Sequence, residues 1–227
     1  MFSDSIDVLV TDLTDVQINE DLLSGPELGR AVCCASPALR DQYLAAHSWL
    51  RRRLADYLGF PAAEIEFARG EHGKPSIANP VTDLSFNLAY SGGHAVLAVG
   101  FRSDIGVDIE SVEGAEINPD MLHGVFRRPE TESVLAAPDR VREFLQLRVR
   151  KEALAKASGL SVEETAAASD MRGSSPIISR GIEVTDLSLG SGLICAVAAP
   201  PGSRLDLSIV IEESARTEWP LLEALSA

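Results

Sequence analysis

The chain has 227 residues, 45% of them hydrophobic, and a formal net charge of −14 at pH 7. That length buries a sizeable core in one large domain or two small ones, and the acidic balance speaks against nucleic acid as a partner. No apolar run approaches the roughly 18 to 20 residues that span a bilayer, the first residues lack the basic start and apolar centre of a signal peptide, and three cysteines, Cys33 and Cys34 adjacent, make no disulfide or metal-ligand spacing; a cytoplasmic protein is expected.

Alternating residues over 6–13 predict a first strand. A proline and Arg40 open a helical pattern over 38–58, closed by Gly59 and Pro61. Residues 64–68 read as a short strand, followed by a loop containing His72-Gly73-Lys74-Pro75. The runs 84–90 and 95–101 flank Ser91-Gly92-Gly93-His94 and predict a hairpin. Ile105-Gly106-Val107-Asp108-Ile109-Glu110 alternates as another strand. Asn118-Pro119 begins a short helix, and Pro138-Asp139 begins a long one that runs to Ser158 and stops at Gly159. Residues 161–176, rich in Ala, Ser and Glu, read as a loop or a loosely held helix, and 182–189, 193–199 and 205–211 finish the pattern as strands. The stretch from Glu212 onward is acidic, with Trp219-Pro220 as its docking candidate. Each half thus shows a long helix and then antiparallel-type strands, which predicts an α+β fold of two similar halves.

Two segments carry the chemistry. On a strand, Asp108 and Glu110 are two apart and project together. On the long helix, Glu152 and Lys156 are four apart and share a face. Three carboxylates and an ammonium can therefore converge to hold a divalent cation against a phosphorylated substrate. Taken singly, Asp108 and Glu110 read better as an exposed strand face, and Glu152 and Lys156 as an ordinary surface ion pair. Charge is uneven: residues 1–30 carry seven acids and one base, whereas 127–156 carry eight bases (Arg127, Arg128, Arg140, Arg142, Arg148, Arg150, Lys151, Lys156) against five acids. A local basic surface on an acidic chain suits an acidic protein or a phosphorylated ligand, or is a solvated helix face laced with ion pairs.

Four motifs occur together: His72-Gly-Lys-Pro75, Phe86-Asn-Leu-Ala-Tyr-Ser-Gly-Gly93, Gly106-Val-Asp-Ile-Glu110 and Lys151-Glu-Ala-Leu-Ala-Lys156. In order and spacing they resemble the 4'-phosphopantetheinyl transferases of the surfactin-synthetase type, over residues 38–200. The resemblance implies a pseudo-dimer of two α+β halves, each a long helix on a small, mainly antiparallel sheet. The first half, 1–104, would recognise the coenzyme A nucleotide; the second, 105–227, would hold the metal and dock a carrier protein. The implied reaction moves 4'-phosphopantetheine from coenzyme A to a serine of an acyl or peptidyl carrier protein and releases 3',5'-ADP. A monomer is expected, since the cleft forms within one chain.

By the same resemblance, Asp108, Glu110 and Glu152 would bind Mg²⁺ (or Mn²⁺), an ion that prefers oxygen ligands. Lys156 would neutralise charge on a phosphate oxygen, and Glu152, directly or through a water it orients, would take the serine proton. Coenzyme A would be held by Arg51 at the 3'-phosphate, by Arg69, Gly73, Lys74 and Pro75 around the nucleotide, and by Asn87, Tyr90, Asp108 and Lys156 near the pyrophosphate. Three positions depart from the family pattern. Ala89 and Tyr90 replace serine and histidine, and Arg148 replaces a tryptophan, where it can pair with Glu152 or add a basic contact near phosphate. The alternative to an active transferase is therefore a member that binds carrier protein or coenzyme A without turnover, or that uses the site for a different reaction. An acidic carrier is expected on the basic stretch 127–151. Glu130 is either a first-turn acid behind Pro129 or the counterpart of a glutamate that some family members place near the active site.

Overall fold

The structure is a computed structural model that describes residues 5–70, 72–190 and 192–211; the Trp219-Pro220 segment lies outside them. Alternation over the first residues becomes β1 (Ser5–Asp12), which buries Ile6, Val8 and Val10 on one face and turns Leu9 to the other. Next comes α1 (Gly25–Val32), where the Glu27 carboxylate accepts from the Ser24 backbone N–H at 2.8 Å and from its hydroxyl at 2.6 Å. The side chain of Ser36 caps α2 (Pro37–Leu58), proline takes the first turn, and left-handed Gly59 ends the helix. A small hairpin of β2 (Glu66–Arg69) and β3 (Pro75–Asn79) carries the Gly73-Lys74 loop at its tip. The next hairpin pairs β4 (Leu84–Ser91) with β5 (His94–Phe101) across Gly92-Gly93. Both glycines have positive φ, 56° and 80°, the backbone that a two-residue turn needs to match the strand twist.

The second half opens with β6 (Gly106–Ser111), followed by α3 (Pro119–Gly124) and α4 (Arg128–Ala136). Asp139 caps α5 (Arg140–Ser158), and left-handed Gly159 ends it. Then come α6 (Val162–Ala168), β7 (Ile177–Ser179), β8 (Ile182–Leu187), β9 (Leu193–Ala199) and β10 (Arg204–Ile209).

Two four-stranded sheets result, in the orders β10-β1-β5-β4 and β6-β9-β8-β7. Their facing sides share one core: Ile6, Val8, Val10, Val96 and Ala98 from the first meet Val107, Ile109, Cys195 and Val197 from the second. The outer side of the first sheet packs on α2 through Trp49, Leu50, Leu54, Phe86 and Leu97. The outer side of the second packs on α5 through Phe144, Leu147, Ala153, Leu154, Ile194 and Ala196. The layers thus run helix, sheet, sheet, helix, the α+β arrangement expected from the sequence.

The local patterns did not show how the ends are wired. β10 runs parallel to β1, from Ser5 opposite Arg204 to Val10 opposite Ile209, and so completes the sheet of the first half. The division at residue 104/105 is crossed by the last strand. Where the halves meet, β4 lies beside β6: the Val107 N–H donates to Asn87 Oδ1 at 2.9 Å, and the Ser111 N–H donates to Ser91 Oγ at 3.3 Å.

Candidate active site

β6 and α5 approach closely because position 106 is glycine. A Cβ there would lie 2.1 Å from the Ala153 carbonyl oxygen and 2.5 Å from the Ala157 nitrogen. Backbone contact at that point brings the outward face of β6, with Asp108 and Glu110, against the α5 face that carries Arg148, Glu152 and Lys156. The Lys156 ammonium donates to Asp108 Oδ1 at 2.6 Å and to the Val107 carbonyl at 3.1 Å. Arg148 spans the other two acids, with Nη2 3.0 Å from Glu110 Oε1 and Nε 3.4 Å from Glu152 Oε1. Ser91 donates to the second oxygen of Glu110 at 3.1 Å.

Asp108 is the unusual member. Its Oδ2 is buried without a hydrogen-bond partner. Burial pushes its pKa up to about 7; Lys156 opposes the shift, and nearby Glu152 and Glu110 add to it. An acceptor oxygen left unsatisfied inside a protein is costly, and a bound cation would satisfy it. Among the described residues no group of three or more His, Cys, Asp or Glu side chains is set out to hold a metal ion; here Arg148 and Lys156 hold the carboxylates. The donor set of three carboxylates with one orphaned oxygen fits a hard, oxygen-seeking divalent cation.

A cavity of about 420 Å³ opens beside Glu152 and Lys156 and is walled by His72, Lys74, Pro75 and Asn87. Lys74 crosses from the first half to donate to the Ile105 carbonyl at 3.1 Å and the Ala157 carbonyl at 3.3 Å, and burial lowers its pKa. Its ammonium therefore also caps the last turn of α5, where the helix dipole favours a cation. Arg69 donates to the Gly73 carbonyl at 2.9 Å and so shapes the loop rather than reaching away from it. Asn87 spends its carbonyl oxygen on β6 and still lines the cavity. Pro75 also lines a second cavity of about 480 Å³ between α1, α2 and the β2–β3 hairpin, with Arg30, His47, Arg51 and Arg69 among its walls.

Arg51 sits at the base of that second cavity and is 1% exposed. Its guanidinium donates to Glu27 at 2.7 and 3.0 Å and to the carbonyls of Ala62 and Ile65 at 2.8 and 3.0 Å. Glu27 also holds His47 at 3.1 Å. Sequence reading passed over Glu27, although Ser24-x-x-Glu27 is the spacing of a helix-start capping box. Tyr90 is half-buried on the same side of β4, edge-on to His47 with ring centroids 6.5 Å apart, and burial raises its pKa. Ala89 faces the opposite way, into the core between the sheets.

The basic stretch divides in two. Arg127, Arg128, Arg140 and Arg142 are exposed, but Arg150 and Lys151 are interior. Arg150 binds Asp186 at 2.5 Å and the Met171 carbonyl at 2.7 Å. Lys151 and Glu130 form a fully buried ion pair at 2.9 Å, and Glu130 also accepts from the backbone N–H groups of Arg127 and Met171. Glu130 is thus an internal anchor between α4 and α5, and two cations expected on a docking face instead hold the interior together.

Residues 104–195 match the family model of the 4'-phosphopantetheinyl transferase superfamily. That segment carries Asp108, Glu110, Glu152 and Lys156. Among curated proteins, the chain is 30% identical over 141 residues to the 4'-phosphopantetheinyl transferase HetI of Nostoc sp., an alignment covering 60% of each chain. A putative 4'-phosphopantetheinyl transferase of Synechocystis sp. is 27% identical over 144 residues, 62% of this chain and 58% of the relative. The mouse L-aminoadipate-semialdehyde dehydrogenase-phosphopantetheinyl transferase is 32% identical over 91 residues, 37% of this chain and 29% of its own. The chain therefore spans about three-fifths of the length of the first two relatives. The likeness to the 4'-phosphopantetheinyl transferase superfamily thus lies over residues 104–195 and over about three-fifths of the chain in the first two relatives.

Proposed function

We propose that the protein is a 4'-phosphopantetheinyl transferase of the surfactin-synthetase type that modifies a carrier-protein serine with coenzyme A. The observation that carries this reading is Asp108, whose buried Oδ2 has no partner while Lys156 holds its other oxygen beside Glu110 and Glu152. In this reading the nucleotide end of coenzyme A occupies the cavity with Arg30 and Arg69 in its wall, above the buried Arg51. The pyrophosphate reaches past Pro75, common to both cavities, to Lys74, Asn87, Tyr90 and Lys156. Asp108, Glu110 and Glu152 would hold Mg²⁺, which when bound supplies Lewis-acid polarisation of the pyrophosphate. The serine oxygen forms a bond to the phosphorus next to pantetheine as the anhydride P–O bond breaks, and 3',5'-ADP departs with the bonding electrons. Glu152 takes the serine proton, and Lys156 neutralises the oxygen where charge develops. The carrier, an acidic protein in this reading, would meet the exposed Arg127, Arg128, Arg140 and Arg142.

A second reading, a member that binds without turnover, draws on Arg148, which already occupies two of the three carboxylates. Intact-mass spectrometry of an apo carrier protein incubated with the protein, coenzyme A and Mg²⁺ separates them. Transfer predicts a gain of one phosphopantetheine that falls by about two orders of magnitude in rate in Glu152→Ala. Coenzyme A binding with no mass gain on any apo carrier would favour the second reading.

A further inference from the structure

Arg148 is the member of the cluster that the transfer step leaves unused. It bridges two elements, reaching Glu110 on β6 with Nη2 and Glu152 on α5 with Nε. Its side chain is 29% exposed, so it enters the cluster from the solvent side. Lys156 is as exposed, at 30%, but its ammonium is committed to Asp108 and the Val107 carbonyl rather than to Glu110 or Glu152. We propose that Arg148 is a displaceable counter-ion that competes with the divalent cation for Glu110 and Glu152 and thereby sets the metal affinity of this chain.

The oxygen inventory supports this. Glu110 offers two oxygens: Ser91 donates to one, and Arg148 holds the other. Glu152 points one oxygen at the same guanidinium. A cation approaching the orphaned Asp108 Oδ2 thus meets that oxygen and two carboxylates that each turn one oxygen to a guanidinium. To take the Oε1 atoms of Glu110 and Glu152 it must displace the Arg148 guanidinium. A guanidinium and a divalent cation in the same space also repel each other. Once displaced, the planar fork of Arg148 is freed at the edge of the cluster, and its geometry suits phosphate oxygens. Metal entry would then hand a cation from the carboxylates to an arriving pyrophosphate.

The inference rests on the reading of Asp108, Glu110 and Glu152 as metal ligands, and it is tested without coenzyme A or carrier. Mn²⁺ is titrated into the full chain and its unbound fraction followed by electron paramagnetic resonance, for wild type, Arg148→Met and Arg148→Gln. Competition predicts about tenfold tighter Mn²⁺ binding in both neutral variants, the scale of one lost charge pair. Arg148→Lys, which keeps the charge but loses the two-pronged reach, should fall between them and wild type, and it serves if a neutral variant fails to fold. Unchanged or weaker Mn²⁺ affinity in folded variants, or no Mn²⁺ binding in any of them, overturns the proposal. Asp108→Asn separates the two ideas. If it leaves Mn²⁺ affinity intact while Arg148→Met still tightens it, the ligand assignment fails and the competition stands.

Discussion

Glu27 holds both Arg51 and His47 inside the first half, where Arg51 is almost wholly removed from water. Removing a carboxylate from beneath a buried guanidinium leaves an uncompensated charge, so Glu27→Ala should lower stability by about 3 kcal/mol in urea denaturation. The same group predicts an acid limb. Burial alone would raise the Glu27 pKa, but bonds from His47, Arg51 and Ser24 outweigh it and hold the carboxyl far below its ordinary value of 4.5. A depressed folded-state pKa means stabilisation that is complete above about 4.5 and is lost as pH falls below it. Stability measured from pH 6 to pH 3 should therefore drop less steeply in Glu27→Gln than in wild type. An equal slope in both would remove Glu27 from the account. At this scale the sequence was half legible. The four-residue spacing of Arg148 and Glu152 announced their pairing, whereas the reach of Arg148 to Glu110 depends on β6 lying against α5 and has no local sign. Arg51 shows the same limit: its position on α2 follows from sequence, its burial against a carboxylate from α1 does not.

β6 and α5 meet backbone to backbone at Gly106. At Gly106 a methyl group would meet backbone atoms of α5 at 2.1 and 2.5 Å, and backbone cannot step aside as a side-chain tip can. Gly106→Ala should push the helix outward, cost about 2 kcal/mol, and pull Lys156 from Asp108, lowering the melting temperature and, on the proposed function, the transfer rate. Gly29→Ala is the matched control, because a Cβ there meets nothing within 4 Å inside α1. It should be neutral or stabilising by up to about 1 kcal/mol. A melting temperature for Gly106→Ala equal to wild type would mean the two elements are not in backbone contact. Elements with strong periodicity or clear caps were readable in the sequence. Ser36 and Gly59 bracket α2, Asp139 and Gly159 bracket α5, and the alternating runs became β1, β4, β5, β6, β8 and β9. α1 escaped notice because Gly25, Pro26 and Gly29 dilute its helical pattern. β3 has no sign in the sequence beyond Pro75, because it starts at a proline and leaves much of its surface exposed.

In the whole molecule, the halves are joined by the core between their sheets, by the Asn87 and Ser91 bonds from β4 to β6, and by Lys74 reaching α5. Alternation could say that residues 204–209 form a strand; it could not say which sheet receives them, since that depends on the path of the chain. The pairing with β1 sets a prediction for a dissected protein. A fragment of residues 1–104 lacks β10 and the core that the second sheet supplies, so it exposes one edge of β1 and the apolar face of Ile6, Val8 and Val10. Expressed alone it should aggregate or remain unfolded by circular dichroism, and mixing with residues 105–227 should restore solubility. A soluble, cooperatively melting 1–104 fragment would contradict the shared core. The same pairing has a temporal side. The strand that completes the β1 sheet is made long after β1, so the first sheet stays open while the residues between them are being made. Until then β1 presents an unpaired edge, and a chaperone that binds extended apolar strands would find its substrate in the half-made protein.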